Sequence, residues 1–372
     1  MQIISYTTMI LGIIATVLLF YKLPKLKNEE VKVLGDDEKP TVSIIIPARN
    51  EENNLPNILN DLLNQTYPIK EVVCVDDNSK DSTLAIIKSF ANTDKWELQA
   101  IEIEKLPIGW KGKTWACQNG ASFAKGKLLL FIDADVRLST NSVDILIKRY
   151  LKKGQPISIQ PYHVMKKGYE YLSLFFNIIQ TCSTGLSVFG KKDTKGFYGP
   201  LFLIERDLFN KYGGYERVKN KVIEDYDLGK YLKNKGVEIE LLLGGKEVSY
   251  RMYPKSIKDL FEGWFKNFAM ASLSMDLSLF IVIIIWIGFL TGLPIEIVKA
   301  LVLGQMNMLL ILIGIYVFSM LAIYRVARNI GSYPIYTCIF YPLYLLIFHL
   351  TYFYSMIGTY ILKTTTWKGR KL

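Results

Sequence analysis

The residues best suited to chemistry in this chain are acidic and come in pairs. Asp133 and Asp135 close the apolar run Leu128-Leu129-Leu130-Phe131-Ile132, with one alanine between them. Such a run reads as a buried strand, and alternation along an extended chain would turn both carboxylates to one side. Carboxylates held side by side repel, and each raises the other's pKa unless a cation lies between them. Hard divalent ions such as Mg²⁺ or Mn²⁺ suit such a pair, with substrate phosphates completing the shell. A lone Asp-x-Asp also occurs as a solvated turn. Two further acidic pairs, Asp76-Asp77 and Glu224-Asp225, weigh against that here.

The elements that must position these residues can be read from the pattern around them. Strand-like segments at 42–46, 71–75, 98–103 and 128–132 alternate with helical ones at 51–64, 81–90 and 114–124. Alternation of this kind means βαβ units and a mainly parallel sheet covered on both faces. Ligands bind such sheets beyond the carboxyl ends of the strands. The polar residues stand at those ends: Pro47-Ala48-Arg49-Asn50-Glu51, Asp76-Asp77-Asn78-Ser79 and Asp133-Ala134-Asp135. Helix capping accounts for Ser79 or Asp81, but not for Asp76 and Asp77 together. Trp110-Lys111-Gly112-Lys113 is a basic loop entering a helix N-terminus, a setting that suits a diphosphate.

Apolar flanks enclose this middle region. Residues 3–20 hold no charge and are followed by Lys22, Lys25 and Lys27, which favours an uncleaved anchor. Three more apolar stretches cover 277–294, 302–324 and 334–362. The predicted division is an anchor at 1–22, a catalytic domain at 40–275, a membrane bundle at 277–362 and a basic tail at 363–372. The Lys and Arg bias places the middle in the cytoplasm, giving a multi-pass protein of the cell membrane. The last stretch reads as a broken or re-entrant hairpin, or an in-plane helix. A net charge of +11 suits anionic headgroups and a phosphate-bearing substrate. The basic residues are scattered and form no nucleic-acid recognition motif, and no protein partner is indicated. Cys74, Cys117, Cys182 and Cys338 show neither zinc nor disulfide spacing. Residues 171–190 read either as an apolar helix at the bilayer surface or as a core helix; beside them stands His163, an acceptor-site candidate.

Three motifs together carry a family resemblance: Ile44-Ile45-Ile46-Pro47-Ala48-Arg49-Asn50-Glu51-Glu52, Val75-Asp76-Asp77-Asn78-Ser79-Lys80-Asp81-Ser82-Thr83 and Phe131-Ile132-Asp133-Ala134-Asp135. In this order and spacing they resemble the family 2 inverting glycosyltransferases. The resemblance implies an α/β, GT-A nucleotide-diphospho-sugar transferase domain flanked by transmembrane helices. It also implies that Pro47, Arg49 and Glu51 line the nucleotide pocket and that Asp77 hydrogen-bonds a uracil. Lys113 would lie near the diphosphate, Asp133 near the sugar or ribose, and Asp135 would lead as metal ligand.

The stretch Ile223-Glu224-Asp225-Tyr226-Asp227-Leu228-Gly229 is similar to the family's Glu-Asp element. By that likeness Asp225 is the general base and Glu224 its positioning neighbour. A hydroxyl attacks well only when a carboxylate within hydrogen-bond reach takes its proton. The plainer reading is three acids favouring a helix N-terminus. The family's membrane-linked members often carry Gln-x-x-Arg-Trp; here Trp264 and Lys266 stand in that region without the Gln or Arg. The departure argues against a processive polymerase.

Four more segments, Ser158-Ile159-Gln160-Pro161-Tyr162-His163, Tyr198-Gly199-Pro200, Tyr250-Arg251-Met252-Tyr253 and Thr366-Trp367-Lys368-Gly369-Arg370, are similar to the diaponeurosporenoate glycosyltransferase group of bacterial carotenoid synthesis. That group implies transfer of glucose from UDP-glucose to a carotenoid carboxylate. The retained Glu-Asp pair favours a hydroxyl acceptor, since a carboxylate is already ionised. The expected partners are a UDP-sugar donor, a lipid acceptor and the membrane, with Mg²⁺ or Mn²⁺ as cofactor. A polyprenyl-phosphate glycosyltransferase, or a membrane protein that binds sugar nucleotides without turnover, are the alternatives.

Overall fold

A computed structural model describes residues 2–28, 39–189, 196–221 and 223–357, and the backbone at 366–367 and 370–371. The side chains of residues 2–5 and 266–274 are outside that description. The chain packs into two compact units. One, the sheet unit, is Lys25–Tyr162 with Thr194–Arg251; the other, the helical unit, is Met1–Pro24, His163–Asp193 and Met252–Leu372.

After α1 (Gln2–Leu19), which belongs to the helical unit, the sheet unit begins with β1 (Val42–Ala48), α2 (Leu55–Leu63), β2 (Glu71–Asp76), α3 (Thr83–Ser89) and β3 (Glu97–Glu102). It continues with α4 (Gly112–Phe123), β4 (Leu128–Ile132), β5 (Val136–Leu138), α5 (Ser142–Lys153), β6 (Ile157–Gln160) and β7 (Tyr162–His163), whose second residue is already in the helical unit. The chain crosses the helical unit through α6 (Leu174–Ser183) and returns with β8 (Leu201–Glu205), α7 (Arg206–Lys211), α8 (Glu224–Asn234), β9 (Glu240–Leu243) and β10 (Val248–Tyr250).

Seven strands form the main sheet in the order β3-β2-β1-β4-β8-β6-β9. The first four are parallel, β8 runs against both neighbours, and β6 is parallel to β9. Every residue of β2 and β4 is buried, which is why these strands read as apolar runs without alternation. Helix α2 buries Leu55, Ile58, Leu59 and Leu62, the spacing of one helical face. It starts later than the sequence pattern suggests, because Asn50 takes a left-handed φ of 54° and residues 50–54 are spent on a loop.

The expected alternation of Asp133 and Asp135 along a strand is not what the chain does. β4 ends at Ile132, and Val136 N–H donates to the Asp133 carbonyl at 3.1 Å. That closes a turn over 133–136, from which β5 leaves to pair antiparallel with β10. The two carboxylates are therefore presented by a turn and not by an extended strand.

The helical unit gathers α1 and α6 with α9 (Ile257–Ser274), α10 (Leu277–Val302), α11 (Met306–Ile330), α12 (Ile335–Ile339) and α13 (Tyr341–Met356). A backbone pairing of β11 (Thr366–Trp367) with β12 (Arg370–Lys371) closes the tail. Helices α10 and α11 are long and apolar enough to cross a membrane, with mean hydropathies of 2.4 and 2.3; α1 holds a shorter apolar segment, Tyr6–Leu19. Gly12 lets α1 lie against α10, since a Cβ there would stand 2.0 Å from the Phe289 ring. The stretch at 334–362 is broken at Phe340, between α12 and α13, with Pro342 in the first turn that follows. Residues 358–365 are outside the described residues. Helix α6 is buried at eight of its ten positions, with Phe175 at 6.0 Å from Trp286 and Phe176 at 5.1 Å from Phe348. Of its two readings, the core helix is the one found.

Candidate active site

The parallel strands deliver their carboxyl ends to one edge of the sheet. Ala48 pairs with Asp76, and Asp76 with Glu102, so the loops after β1 and β2 lie side by side. They are laced together by reciprocal bonds. Asn50 N donates to Ser79 Oγ at 3.0 Å, while Lys80 N donates to Asn50 Oδ1 at 2.8 Å. Glu52 N donates to Asp81 Oδ2, and Ser82 N to Glu52 Oε2, both at 3.2 Å. Asn50 and Asn78 sit at φ 54° and 53°, a region asparagine tolerates better than most residues.

Arg49 reaches across this seam. Its Nη1 donates to the Asp77 carbonyl at 2.7 Å and lies 3.3 Å from Asp77 Oδ2. Asp77 itself is buried. Pro47 lies past the last β1–β4 partner pair, Ile45 with Phe131, at a strand end where a missing N–H is tolerated. Arg49 and Asp77 therefore meet at the strand ends, with Pro47 in the last pairs of the β1–β2 register.

Further along the same edge stands an ion cluster. Lys113, in the first turn of α4, places Nζ 2.8 Å from Asp133 Oδ1, 3.0 Å from Asp225 Oδ2 and 3.9 Å from Glu224 Oε1. A cation near a helix N-terminus opposes the helix dipole. Burial opposes the charge too, yet Asp133, Asp225 and Glu224 outweigh it and hold the ammonium well above the usual lysine range. Lys113 stays charged. Helix α4 is fixed at that end by Lys111 N donating to the Lys219 carbonyl at 3.0 Å. On the other side, Glu224 and Asp225 open α8, and the Asp225 side chain is only 7% exposed.

The cluster carries more negative charge than Lys113 can balance. Burial, then Asp133 and Glu51, push the Asp135 carboxyl up to about 7, with Lys113 pulling the other way. Burial likewise raises Asp133, offset by Lys113 and reinforced by Asp225. Carboxylates crowded this way are hard oxygen donors short of a cation, a chemistry that fits Mg²⁺ or Mn²⁺. Asp135 is the freer ligand, because Asp133 is engaged by Lys113. Among the described residues no three carboxylate, thiol or imidazole groups form a ready-made metal cage. A cation held by Asp135 and Asp133 would draw the rest of its shell from a diphosphate and water.

Sequence reasoning missed Tyr215 and the nearness of Glu51 to Asp135, and it named Gly199 only within a family likeness, with no role. Tyr215 is fully buried and its hydroxyl donates to Asp225 Oδ1. It follows Gly213-Gly214, both at positive φ, and a Cβ on Gly214 would stand 2.4 Å from the Phe209 ring. The paired glycines were the legible signal of a sharp turn; its target was not legible. Trp264 belongs to the helical unit, where its ring stacks on Phe176 at 3.7 Å and meets Phe261 at 5.7 Å. The Lys266 side chain lies outside the described residues. His163 is buried in the same unit, its Nδ1 2.8 Å from Asn177 Nδ2, which is also 2.8 Å from the Tyr333 hydroxyl. All four cysteines are buried and unpaired.

Comparison with known proteins agrees with this fold. The family model "Glycosyl transferase family 2" matches residues 43–213. A 4,4'-diaponeurosporenoate glycosyltransferase of Staphylococcus haemolyticus (strain JCSC1435) is 31% identical over 258 residues, 68% of each chain. Its namesake in Staphylococcus aureus (strain MRSA252) is 29% identical over 278 residues, 73% of this chain and 71% of the relative. Among solved structures, a mannosyltransferase from Pyrobaculum calidifontis in complex with GDP-Man and Mn²⁺ aligns with a TM-score of 0.57 at 15% identity, over 95% of this chain and 99% of its own. The fold is thus GT-A, and the chain belongs to glycosyl transferase family 2 as a glycosyltransferase.

Proposed function

We propose that the enzyme is inverting and moves a sugar, glucose, from a UDP-sugar to the hydroxyl of a membrane lipid such as a carotenoid or glycolipid precursor. The catalytic domain works at the cytoplasmic face, the orientation favoured by Lys22, Lys25, Lys27, Arg325 and Arg328. The observation that carries the reading is the buried Asp225 carboxylate, 3.0 Å from Lys113 Nζ, an ammonium that also stands 2.8 Å from Asp133.

Arg49, Pro47 and Asp77 form the nucleoside floor, and Asp77 meets the uracil. Asp225 Oδ2 takes the acceptor proton while the acceptor oxygen bonds to the anomeric carbon. The bond from that carbon to the diphosphate oxygen breaks on the opposite face, and the nucleoside diphosphate leaves with the electron pair. Lys113 keeps its charge beside the departing diphosphate. Asp135 with Asp133 would hold Mg²⁺ or Mn²⁺, which neutralises charge on the diphosphate when bound; the Mn²⁺ in the Pyrobaculum mannosyltransferase supports that.

The staphylococcal relatives are named for an acceptor that carries a carboxylate. That favours a second reading, transfer to an acid that needs no base. Membranes holding the full-length chain, incubated with radiolabelled UDP-glucose, Mn²⁺ and host lipids, should yield a labelled lipid, and Asp225→Asn should abolish it. A label that survives mild alkali marks a glycoside and a hydroxyl acceptor; release by alkali marks a glycosyl ester. Unchanged turnover in Asp225→Asn would remove the base role.

A further inference from the structure

The two oxygens of Asp225 have different surroundings. Oδ1 accepts from the Tyr215 hydroxyl. That phenol is rigidly mounted: its ring lies 5.7 Å from Phe131, 6.0 Å from Phe209 and 6.4 Å from Phe202, and its backbone N–H donates to Gln118 Oε1 at 2.8 Å. Oδ2 faces Lys113 Nζ at 3.0 Å. The backbone of Gly199 runs beside that second oxygen, so closely that a Cβ would stand 2.5 Å from Oδ2.

We propose that Tyr215 is a positioning residue for glycosyl transfer: its hydroxyl fixes the Asp225 carboxylate so that Oδ2, given room by Gly199, is the oxygen that receives the acceptor's proton. This rests on Asp225 being the base. A carboxylate bonded through one oxygen to an immobile donor cannot rotate freely about its Cβ–Cγ bond. The remaining oxygen is then held in the narrow range of positions that productive attack requires. Tyr215 gives up no proton in the reaction. Burial and the adjacent Asp225 charge hold its phenol well above the usual tyrosine range, so it remains a donor throughout. The proton taken from the acceptor ends on Oδ2 alone, and leaves to solvent after the nucleoside diphosphate departs.

The test uses the full-length chain in membranes, with kinetics normalised to the fraction that binds UDP. Tyr215→Phe keeps the ring among its phenylalanines and removes only the hydroxyl. It should lower kcat about 10- to 100-fold while the KM for UDP-glucose stays within about twofold. Gly199→Ala should shift the same parameter, because its new methyl pushes on Oδ2 from the side. A merely structural role would reduce the UDP-binding fraction without separating kcat from KM. If Tyr215→Phe folds poorly, Gly199→Ala decides: a lower kcat at unchanged KM upholds the proposal, and an unchanged kcat overturns it. A Tyr215→Phe enzyme with kcat within about twofold of the parent, while Asp225→Asn is inactive, overturns this inference alone. Activity in Asp225→Asn overturns it together with the base.

Discussion

At the scale of single residues, the cluster around Lys113 is an exercise in charge balance that the protein leaves unfinished. Asp135 shows it best. With its carboxyl raised to about 7 by burial, Asp133 and Glu51, the fold favours the protonated acid. A raised carboxyl contributes stability below its unfolded value of about 4 and loses it as pH climbs towards 7. A cation bound by this group needs the carboxylate, so the proton competes with the metal. Mn²⁺ affinity, measured with UDP-glucose present, should therefore fall roughly tenfold for each pH unit below 7 and level off above it. Calorimetric titration between about pH 5.5 and 8.5 spans both limbs. Asp135→Asn should bind weakly with a flat profile, and a parent profile that is equally flat would remove Asp135 from the metal site.

At the scale of elements, what sets the site is the register of the parallel strands, and one buried acid ties that register together. Glu71, fully buried at the start of β2, accepts from Ser43 Oγ on β1, Gln99 Nε2 on β3 and the Lys125 backbone N–H just before β4. Ser43 Oγ in turn accepts from Gly126 N at 2.7 Å. Replacing Glu71 with alanine strands these donors in a dry setting, at a cost of about 3 kcal/mol. We expect Glu71→Ala to lower the unfolding midpoint in detergent by several degrees while leaving the UDP-glucose KM of the folded fraction near its parent value. A midpoint that does not move would mean water replaces the carboxylate. The strands and helices of this half were legible because each shows its own apolar pattern and its own turn residues: seven elements from 42 to 132 are those the periodicity indicates. The reversed strand β8 was not, since nothing in its own residues says that it returns antiparallel between β4 and β6. Tyr215 was illegible too, although Asp225 stands only 10 residues further on. Nothing in Gly213-Gly214-Tyr215 says that its hydroxyl ends on Asp225.

At the scale of the whole molecule, the chain does not separate into a catalytic domain and a membrane bundle by one cut. Residues 163–189 leave the sheet unit and pack with the helical one. There Leu174, Phe175, Phe176 and Ile178 are buried by helices such as α10, α11 and α13. A fragment spanning 25–251 keeps α6 but loses α10, α11 and α13, which cover it. The bared aromatic face then exceeds what a soluble monomer tolerates. This fragment should aggregate or bind a hydrophobic dye strongly. The same fragment with residues 163–193 replaced by a Gly/Ser linker of roughly 20 residues should be monomeric and bind UDP. Size-exclusion chromatography and nucleotide titration compare the two directly. A well-behaved monomer from the unmodified fragment would show that α6 finds cover within the sheet unit. Solubility gained only after the exchange would place α6 with a helical unit that folds apart from the sheet unit.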